Sequence, residues 1–489
     1  MAQPVRPRSR TGPAPVTPQA EPEPHPRPPR PDTHHHSRSH SHPHPRPGPT
    51  LAITAAATAV ALMNYTSPMT TVPGISAALA TPPSGQAWLL NGTPLGLAAV
   101  LLVAGSLADD YGRRRLFLIG TLALGITTAL GALATDTLTF TLARIAQGAA
   151  SAAILATSLG LLVGAFPAGA ARIRATGIWG AFVSAGIALG PLLAGSLGSV
   201  DWRLPYAVLS LAALVTAALA FRTLTESRAP RGGRPDLAGA AVLGLAMTAL
   251  LTALTLGRDG WLRAPIGLLL LAALALTLGF LAVERRAAAP LIDLSLLRSR
   301  PFLASAAGGL FTGLAVIGLF SYLPTLLQQA LGLSALNSAW LFLLWSGTAF
   351  LVALQARRLT GRVMPRHQLA VGFALHAVAV LSLLGTLGVT AHPGPAVWLR
   401  LVPALVVSGA GSGLLNAALP RLAVESVPPE RAAMGSGANN TARYIGSSAG
   451  VAVTIAIATT GTGANGALLL SVGLALLATV TVLLLRERD

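Results

Sequence analysis

The chain of 489 residues is 53% hydrophobic and only 10% charged. Soluble domains carry about a quarter of their residues as charged side chains, so this composition excludes an ordinary soluble fold. There is no cysteine, which excludes disulfides and thiolate metal sites, and no lysine, so all 34 basic residues behind the net charge of +18 are arginine.

Residues 1–49 form a Pro-, Arg- and His-rich tract that includes His34-His35-His36. Its apolar content is too low to bury a core, and it is expected to be a disordered cytoplasmic tail. It lacks the apolar region of a signal peptide. A solvated tail is favoured over a weak metal site for its histidines.

From Thr50 onward the sequence divides into fourteen apolar segments of spanning length. Their expected limits are 51–75, 84–107, 114–134, 137–165, 170–196, 204–223, 236–257, 264–284, 302–328, 336–357, 366–388, 396–420, 432–460 and 464–485. With the N-terminus in the cytoplasm, 28 arginines fall in the tail and the cytoplasmic loops. Three lie outside (Arg203, Arg258, Arg263) and three inside segments (Arg144, Arg400, Arg443). Such asymmetry predicts an even number of spans with both termini cytoplasmic. It also assigns the positive charge to membrane topology rather than to nucleic-acid binding. The chain is therefore expected to be an all-α polytopic membrane protein.

Two echoes divide it. Leu142-Ala-Arg144-Ile-Ala-Gln147-Gly148 in the fourth segment is matched weakly by Leu399-Arg400-Leu-Val-Pro403 in the twelfth. The turn at 105–115 is matched by a degraded Arg357-Arg358-Leu359-Thr-Gly361-Arg362. Residues 50–225 and 302–489 are accordingly expected to form two six-helix halves. Two additional transmembrane helices fall at 226–287. The short amphipathic stretch at 288–301 is expected to lie in the cytoplasmic interface. Repeated halves place a transporter's substrate site between them, near the midplane.

Five stretches carry candidate chemistry. Gly105-Ser-Leu-Ala-Asp109-Asp-Tyr-Gly112-Arg113-Arg114-Arg115 joins the second and third segments. Gly105 and Gly112 would let the chain turn at both helix ends. Asp109 would sit badly at the C-terminus of its own helix, and better against the N-terminus of another, near Arg431 to Gly437. In the fifth segment, Gly186, Gly190, Pro191, Ala194 and Gly195 predict close helix packing and a bend. Arg144 is a mid-membrane arginine, costly unless it faces protein or water, with Gln147 and Gly148 nearby. Arg443 follows Asn439-Asn440-Thr441 in the thirteenth segment. Met63-Asn64-Tyr65-Thr66 lies mid-way along the first. The titratable His376 lies mid-span in the eleventh segment, where packing is favoured over a coupling role. Tyr65, Trp179, Phe182, Phe320, Tyr322 and Trp345 are the aromatic residues near expected cavity spans.

The turn matches the G-x-L-A-D-x-x-G-R-R loop at Gly105, Leu107, Ala108, Asp109, Gly112, Arg113 and Arg114, and in this it resembles the major facilitator superfamily. The Gly-Pro string resembles the antiporter signature of its exporting branches, with Ala194 in place of a glycine. Arg144-x-x-Gln147-Gly148 resembles the family's span-four motif, whose arginine is implicated in proton transfer. Gly435 to Arg443 resembles the same span of fourteen-span drug:proton antiporters. The first segment resembles their span-one motif, except that Asn64 replaces its aspartate.

The resemblance implies a major facilitator fold of 14 transmembrane helices, two six-helix halves plus two inserted helices. It implies a secondary active transporter, not an enzyme, that exports hydrophobic drugs or antibiotics from a bacterial cell by proton-coupled alternating access. Its expected partners are a hydrophobic small molecule, protons and lipid in the inner (plasma) membrane, bound by a monomer without nucleic acid or cofactor. Gly105, Asp109, Gly112, Arg113, Arg114, Gly186, Gly190, Pro191 and Gly195 would serve gating, and Arg144 proton coupling. Asn64, Tyr65, Gln147, Trp179, Tyr322, Asn440 and Arg443 would serve the cavity. Because Asn64 cannot exchange a proton near neutral pH, a proton-independent facilitator or importer is the alternative on the same fold, with a non-transporting sensor behind it. No carboxylate falls mid-span. An arginine facing the cavity would therefore favour neutral or weakly acidic substrates.

Overall fold

The computed structural model describes residues 47–82, 85–167, 170–226, 237–257, 263–286, 296, 298–356, 362–388, 394–427, 432–459 and 462–485. Within them the side chains of residues 102, 106, 109, 110, 170, 173, 237, 240 and 432–434 are not described. The described residues form sixteen α-helices and one π-helical turn. The helices are α1 (Pro47–Thr66), α2 (Pro68–Ala78), α3 (Gln86–Tyr111), α4 (Arg113–Ala132), α5 (Thr137–Ala165), α6 (Ala170–Leu197), α7 (Leu204–Thr223) and α8 (Leu237–Leu256). There follow α9 (Ala264–Glu284), α10 (Arg300–Phe311), the π turn (Thr312–Ile317), α11 (Gly318–Leu331), α12 (Ala335–Ala356), α13 (Pro365–Leu381), α14 (Pro395–Glu425), α15 (Ala432–Ala458) and α16 (Gly463–Leu484). Nine stretches in the described residues are long and apolar enough to cross a membrane.

The helix count exceeds fourteen because two expected segments are each divided. The first segment becomes α1 and α2, which meet at Ser67. Pro68 starts α2, where its missing N–H costs least, and Ser67 keeps helical angles. The ninth becomes α10, the π turn and α11. The eleventh segment is shorter than expected, its helix ending at Leu381. The expected interfacial helix at 288–301 lies almost wholly outside the described residues.

Glycines set the closest helix contacts. On α3, a methyl group at Gly92 would stand 2.7 Å from the Arg144 Cβ, and one at Gly96 would strike the backbone of Ile145. Gly148 on α5 approaches Thr93 in the same way. Small residues spaced four apart let backbones touch in this manner where lipid offers no hydrophobic drive. The core of α1, α4, α5 and α7 is filled by Ile53, Phe117, Leu124, Ile154 and Ala213. A larger cluster runs through α11 to α16 and reaches α1, α2 and α3. α8 packs along α9, α3 and α15. Asn91 of α3 donates to Thr255 of α8 at 3.2 Å and to the Ser448 carbonyl of α15 at 3.1 Å.

Candidate functional site

Arg144 is wholly buried. Its Nη1 donates to the Asn64 carbonyl at 2.7 Å, to the Asn64 side-chain oxygen at 2.8 Å and to Gln147 Oε1 at 2.9 Å. Its Nη2 donates to the Tyr65 carbonyl at 3.1 Å. The α1–α2 junction explains why the Asn64 carbonyl is available. In an α-helix the Asn64 carbonyl would accept from the N–H of residue 68, and residue 68 is proline. The amide of Asn64 is fixed in turn by donating to Thr128 at 2.9 Å, and that of Gln147 by donating to the Thr127 carbonyl at 3.1 Å. A buried guanidinium is thus solvated by oxygens alone, with no carboxylate in its cage.

One residue further on, Tyr65 turns its side chain the other way. Its hydroxyl lies 3.2 Å from Ser447 Oγ and its ring meets Tyr444 edge to face at 6.2 Å. There it borders an open cavity of about 620 Å³, the solvent at its mouth included. Tyr65, Thr66 and Met69 of α1 and α2, with Ser184 and Ile187 of α6, form one wall. The opposite wall comes from Ile317, Phe320 and Ser321, from Phe342 to Ala353 along one face of α12, and from Asn416 and Arg443. Phe320 stacks on Trp345 at 4.1 Å and 19°, and Phe342 leans on the same indole at 5.3 Å.

The π turn helps to place Arg443. Its backbone and the start of α11 are pressed against α15 through Gly313 and Gly318 on one side and Gly446 and Gly450 on the other; a methyl at Gly450 would lie 2.5 Å from the Leu314 carbonyl oxygen. π turns recur at functional sites. This one also ends a polar chain. Ser471 donates to the Ala315 carbonyl at 2.8 Å, so its oxygen accepts from His376 Nε2 at 3.0 Å. The other ring nitrogen of a neutral imidazole must then accept, and it does so from Ser408 at 2.9 Å. Ser408 receives Trp345 Nε1 at 3.2 Å. A donor-only indole and an acceptor-only carbonyl thereby orient the wholly buried His376, and they tie the stacked indole of the cavity to α13, α14 and α16.

Of the cavity candidates read from sequence, Tyr65 and Arg443 line the cavity. Asn64 and Gln147 sit behind its wall around Arg144. Trp179 donates to Thr58 at 2.9 Å, Asn440 to the Ser436 carbonyl at 3.1 Å, and Tyr322 is buried in the larger core cluster. None of these three borders the cavity. On α6, Gly186 and Gly190 pack on α1: a methyl at Gly190 would stand 2.5 Å from the Met63 carbonyl oxygen. Gly195 packs instead on the start of α12, where a methyl would stand 3.0 Å from the Ala335 carbonyl oxygen.

The turn at 105–115 is built differently from the expectation at one glycine. α3 runs on to Tyr111, so Gly105 lies within a helix and faces open space, and Gly112 makes the turn alone with φ +111°. Glu226, three residues past α7, accepts from the Arg114 backbone N–H at 3.0 Å and pairs with Arg115 at 3.9 Å. A carboxylate at a helix N-terminus is favourably placed. Arg113 donates to the Gly160 carbonyl of α5 at 3.1 Å, and Arg114 to the Phe221 carbonyl of α7 at 2.7 Å. Of Asp109 and its expected dock at 431–437, the side chain of Asp109, residue 431 and the side chains of 432–434 lie outside what is described.

Sequence reasoning missed Thr128, Ser408, Ser447, Ser471 and Asn416. It also missed the Gly92-x3-Gly96 and Gly446-x3-Gly450 pairs, whose spacing was a readable signal.

Comparison with known proteins matches residues 54–451 to the Major Facilitator Superfamily. The chain is 32% identical to the probable actinorhodin transporter of Streptomyces coelicolor, over 80% of this chain and 69% of that protein. It is 32% identical to the multidrug resistance protein Stp of Mycobacterium tuberculosis, over 78% and 70%. It is also 32% identical to the puromycin resistance protein pur8 of Streptomyces alboniger, over 79% and 77%. Among solved structures, a peptide transporter in complex with sulfate aligns with a TM-score of 0.67 at 16% identity, over 89% of this chain and 93% of that one. The human organic anion transporter MFSD10 aligns at 0.61 and 18%, over 90% and 100%. The chain is a multi-pass membrane protein of the transporter class and belongs to the major facilitator superfamily.

Proposed function

We propose that the protein exports hydrophobic small molecules across the bacterial plasma membrane by alternating access. The observation that carries this reading is the aromatic-walled cavity between α1, α2 and α6 on one side and α11, α12, α14 and α15 on the other. The names of the relatives, which concern antibiotic and multidrug resistance, support export over uptake. In this reading α1 with α2, and α10 with α11, each count as one span, giving fourteen spans. α1–α7 and α10–α16 are the two halves, with α8 and α9 inserted between them. Both termini are cytoplasmic. The seam held by the Gln328–Thr70 hydrogen bond of 2.8 Å and the Gly195–Ala335 contact is then the outer gate, closed in this state.

Inward proton movement drives the export, with Arg144 at the coupling position. One observation favours the alternative of proton-independent transport. The side chain facing Arg144 is the amide of Asn64, so no carboxylate in the cage takes up and releases a proton. Counterflow in proteoliposomes, with and without a pH gradient, tests both. Dye accumulation by the wild type that collapses when the gradient is removed supports coupled export. Accumulation indifferent to the gradient supports the uncoupled reading, and no accumulation of any dye overturns transport.

A further inference from the structure

Arg443 is the one charged residue among those lining the cavity. No described residue hydrogen-bonds or ion-pairs with its guanidinium. A second guanidinium, that of Arg144, lies behind the same wall, reached through the Tyr65 carbonyl. The acidic side chains that are described, Asp136, Asp201, Glu226, Glu284 and Glu425, all sit in loops, at a cap or at a helix end. Among the described residues the site therefore holds positive charge without a fixed counterion. Its remaining lining is apolar or aromatic apart from the Asn416 amide and the hydroxyls of Thr66, Ser184, Ser321 and Ser346, of which Thr66, Ser184 and Ser346 donate to carbonyls of their own helices.

We propose that this cavity binds planar aromatic anions. The acid group (carboxylate, sulfonate or phenolate) docks on Arg443, and the ring system lies against the stacked Phe320–Trp345 pair. The proposal rests on the export reading and names its substrate class. Arginine presents donors in a planar fork that matches an oxyanion, and a charge-assisted hydrogen bond is about twice as strong as a neutral one. A lipophilic cation entering the same space would give up its hydration beside a positive charge with no carboxylate to replace it. Aromatic faces attract cations, but weakly in comparison with an unopposed charge at the same wall.

Three dyes of similar aromatic bulk separate the outcomes: the anion anilinonaphthalene sulfonate, the neutral phenylnaphthylamine and the cation ethidium. Binding to purified wild type, Arg443→Gln and Arg443→Lys is read by energy transfer from tryptophan, and counterflow is read in proteoliposomes. The wild type is expected to bind the sulfonate more tightly than ethidium. Arg443→Gln should weaken the sulfonate about tenfold or more and leave the neutral amine within about twofold, while Arg443→Lys restores part of the loss. Equal weakening of the sulfonate and the neutral amine, or tighter binding of ethidium than of the sulfonate by the wild type, overturns the proposal. Retained binding of the neutral amine reports that Arg443→Gln is folded; if it is not, the wild-type preference and Arg443→Lys decide. Charge-selective binding without movement of any dye would refute export while leaving the ligand class standing. Export of the neutral amine with no dependence of sulfonate binding on Arg443 would do the reverse.

Discussion

The side chain at position 64 decides how a buried guanidinium is compensated. Arg144 receives its solvation from two carbonyls and two amide oxygens, and its Nε has no partner among the described groups. Replacing Asn64 by Asp would put a carboxylate oxygen where the amide oxygen stands, 2.8 Å from Nη1. The new charge would pair with Arg144 rather than look into the cavity, because Asn64 is wholly buried and outside its lining. Asn64→Asp is therefore expected to raise the melting temperature and to leave the preference among anionic, neutral and cationic dyes unchanged. Asn64→Leu removes the acceptor and is expected to cost about 1.5–3 kcal/mol, the usual contribution of a hydrogen bond to a charged group. Thermal unfolding of the two variants, beside dye counterflow, checks both. Ethidium export gained in Asn64→Asp would show that position 64 acts on the substrate directly.

At the scale of the helix, glycine and proline act by position. Gly190 touches the Met63 backbone and Thr66, whereas Gly105 has nothing within 4 Å of an added methyl. Gly190→Ala should push α6 off α1, at about 1–3 kcal/mol of overpacking, and sharply reduce transport. Gly105→Ala should stabilise α3 by up to about 1 kcal/mol through helix propensity and leave transport intact. Equal tolerance of both, in melting temperature and counterflow, would mean that the α1–α6 contact does not set activity. Proline shows a second pattern. Pro73, Pro191, Pro324 and Pro420 lie inside helices, each four residues after a lining residue: Met69, Ile187, Phe320 and Asn416. Each removes a helical hydrogen bond at the level of the cavity, which makes that level the easiest place for these helices to bend. The helices themselves were legible because long apolar runs and arginine-bearing breaks have few other readings. What stayed hidden was facing. Composition could not show that Asn64 looks at Arg144 while Tyr65, the next residue, looks at the cavity. Nor could it show that the break at Pro68 lies between the two helices rather than within one. Gly105 was placed at a turn because its motif ends in one, but α3 continues six residues past it.

In the proposed reading the two groups of helices, α1–α7 and α10–α16, meet along a seam that three polar contacts cross among the described residues. Tyr65 meets Ser447 at 3.2 Å, Asn91 donates to the Ser448 carbonyl at 3.1 Å, and Gln328 to the Thr70 carbonyl at 2.8 Å. Each is a single hydrogen bond of the kind that contributes about 0.5–1.5 kcal/mol net, so a rocking motion can exchange them without a large barrier. Asn439 and Ser305, by contrast, bond within the second group at 2.7 and 3.2 Å and would travel together. The chain has no cysteine, so pairs of cysteines can be introduced into it without removing any. Thr70→Cys with Gln328→Cys, joined by a short bifunctional thiosulfonate, is expected to hold the seam shut and reduce counterflow to background. Addition of a reductant should restore it. Ser305→Cys with Asn439→Cys, treated in the same way, should cross-link without loss of transport. Alternating access requires the first pair to separate in every cycle and the second to stay together, so undiminished counterflow across a verified Thr70–Gln328 cross-link would rule out that motion at this seam.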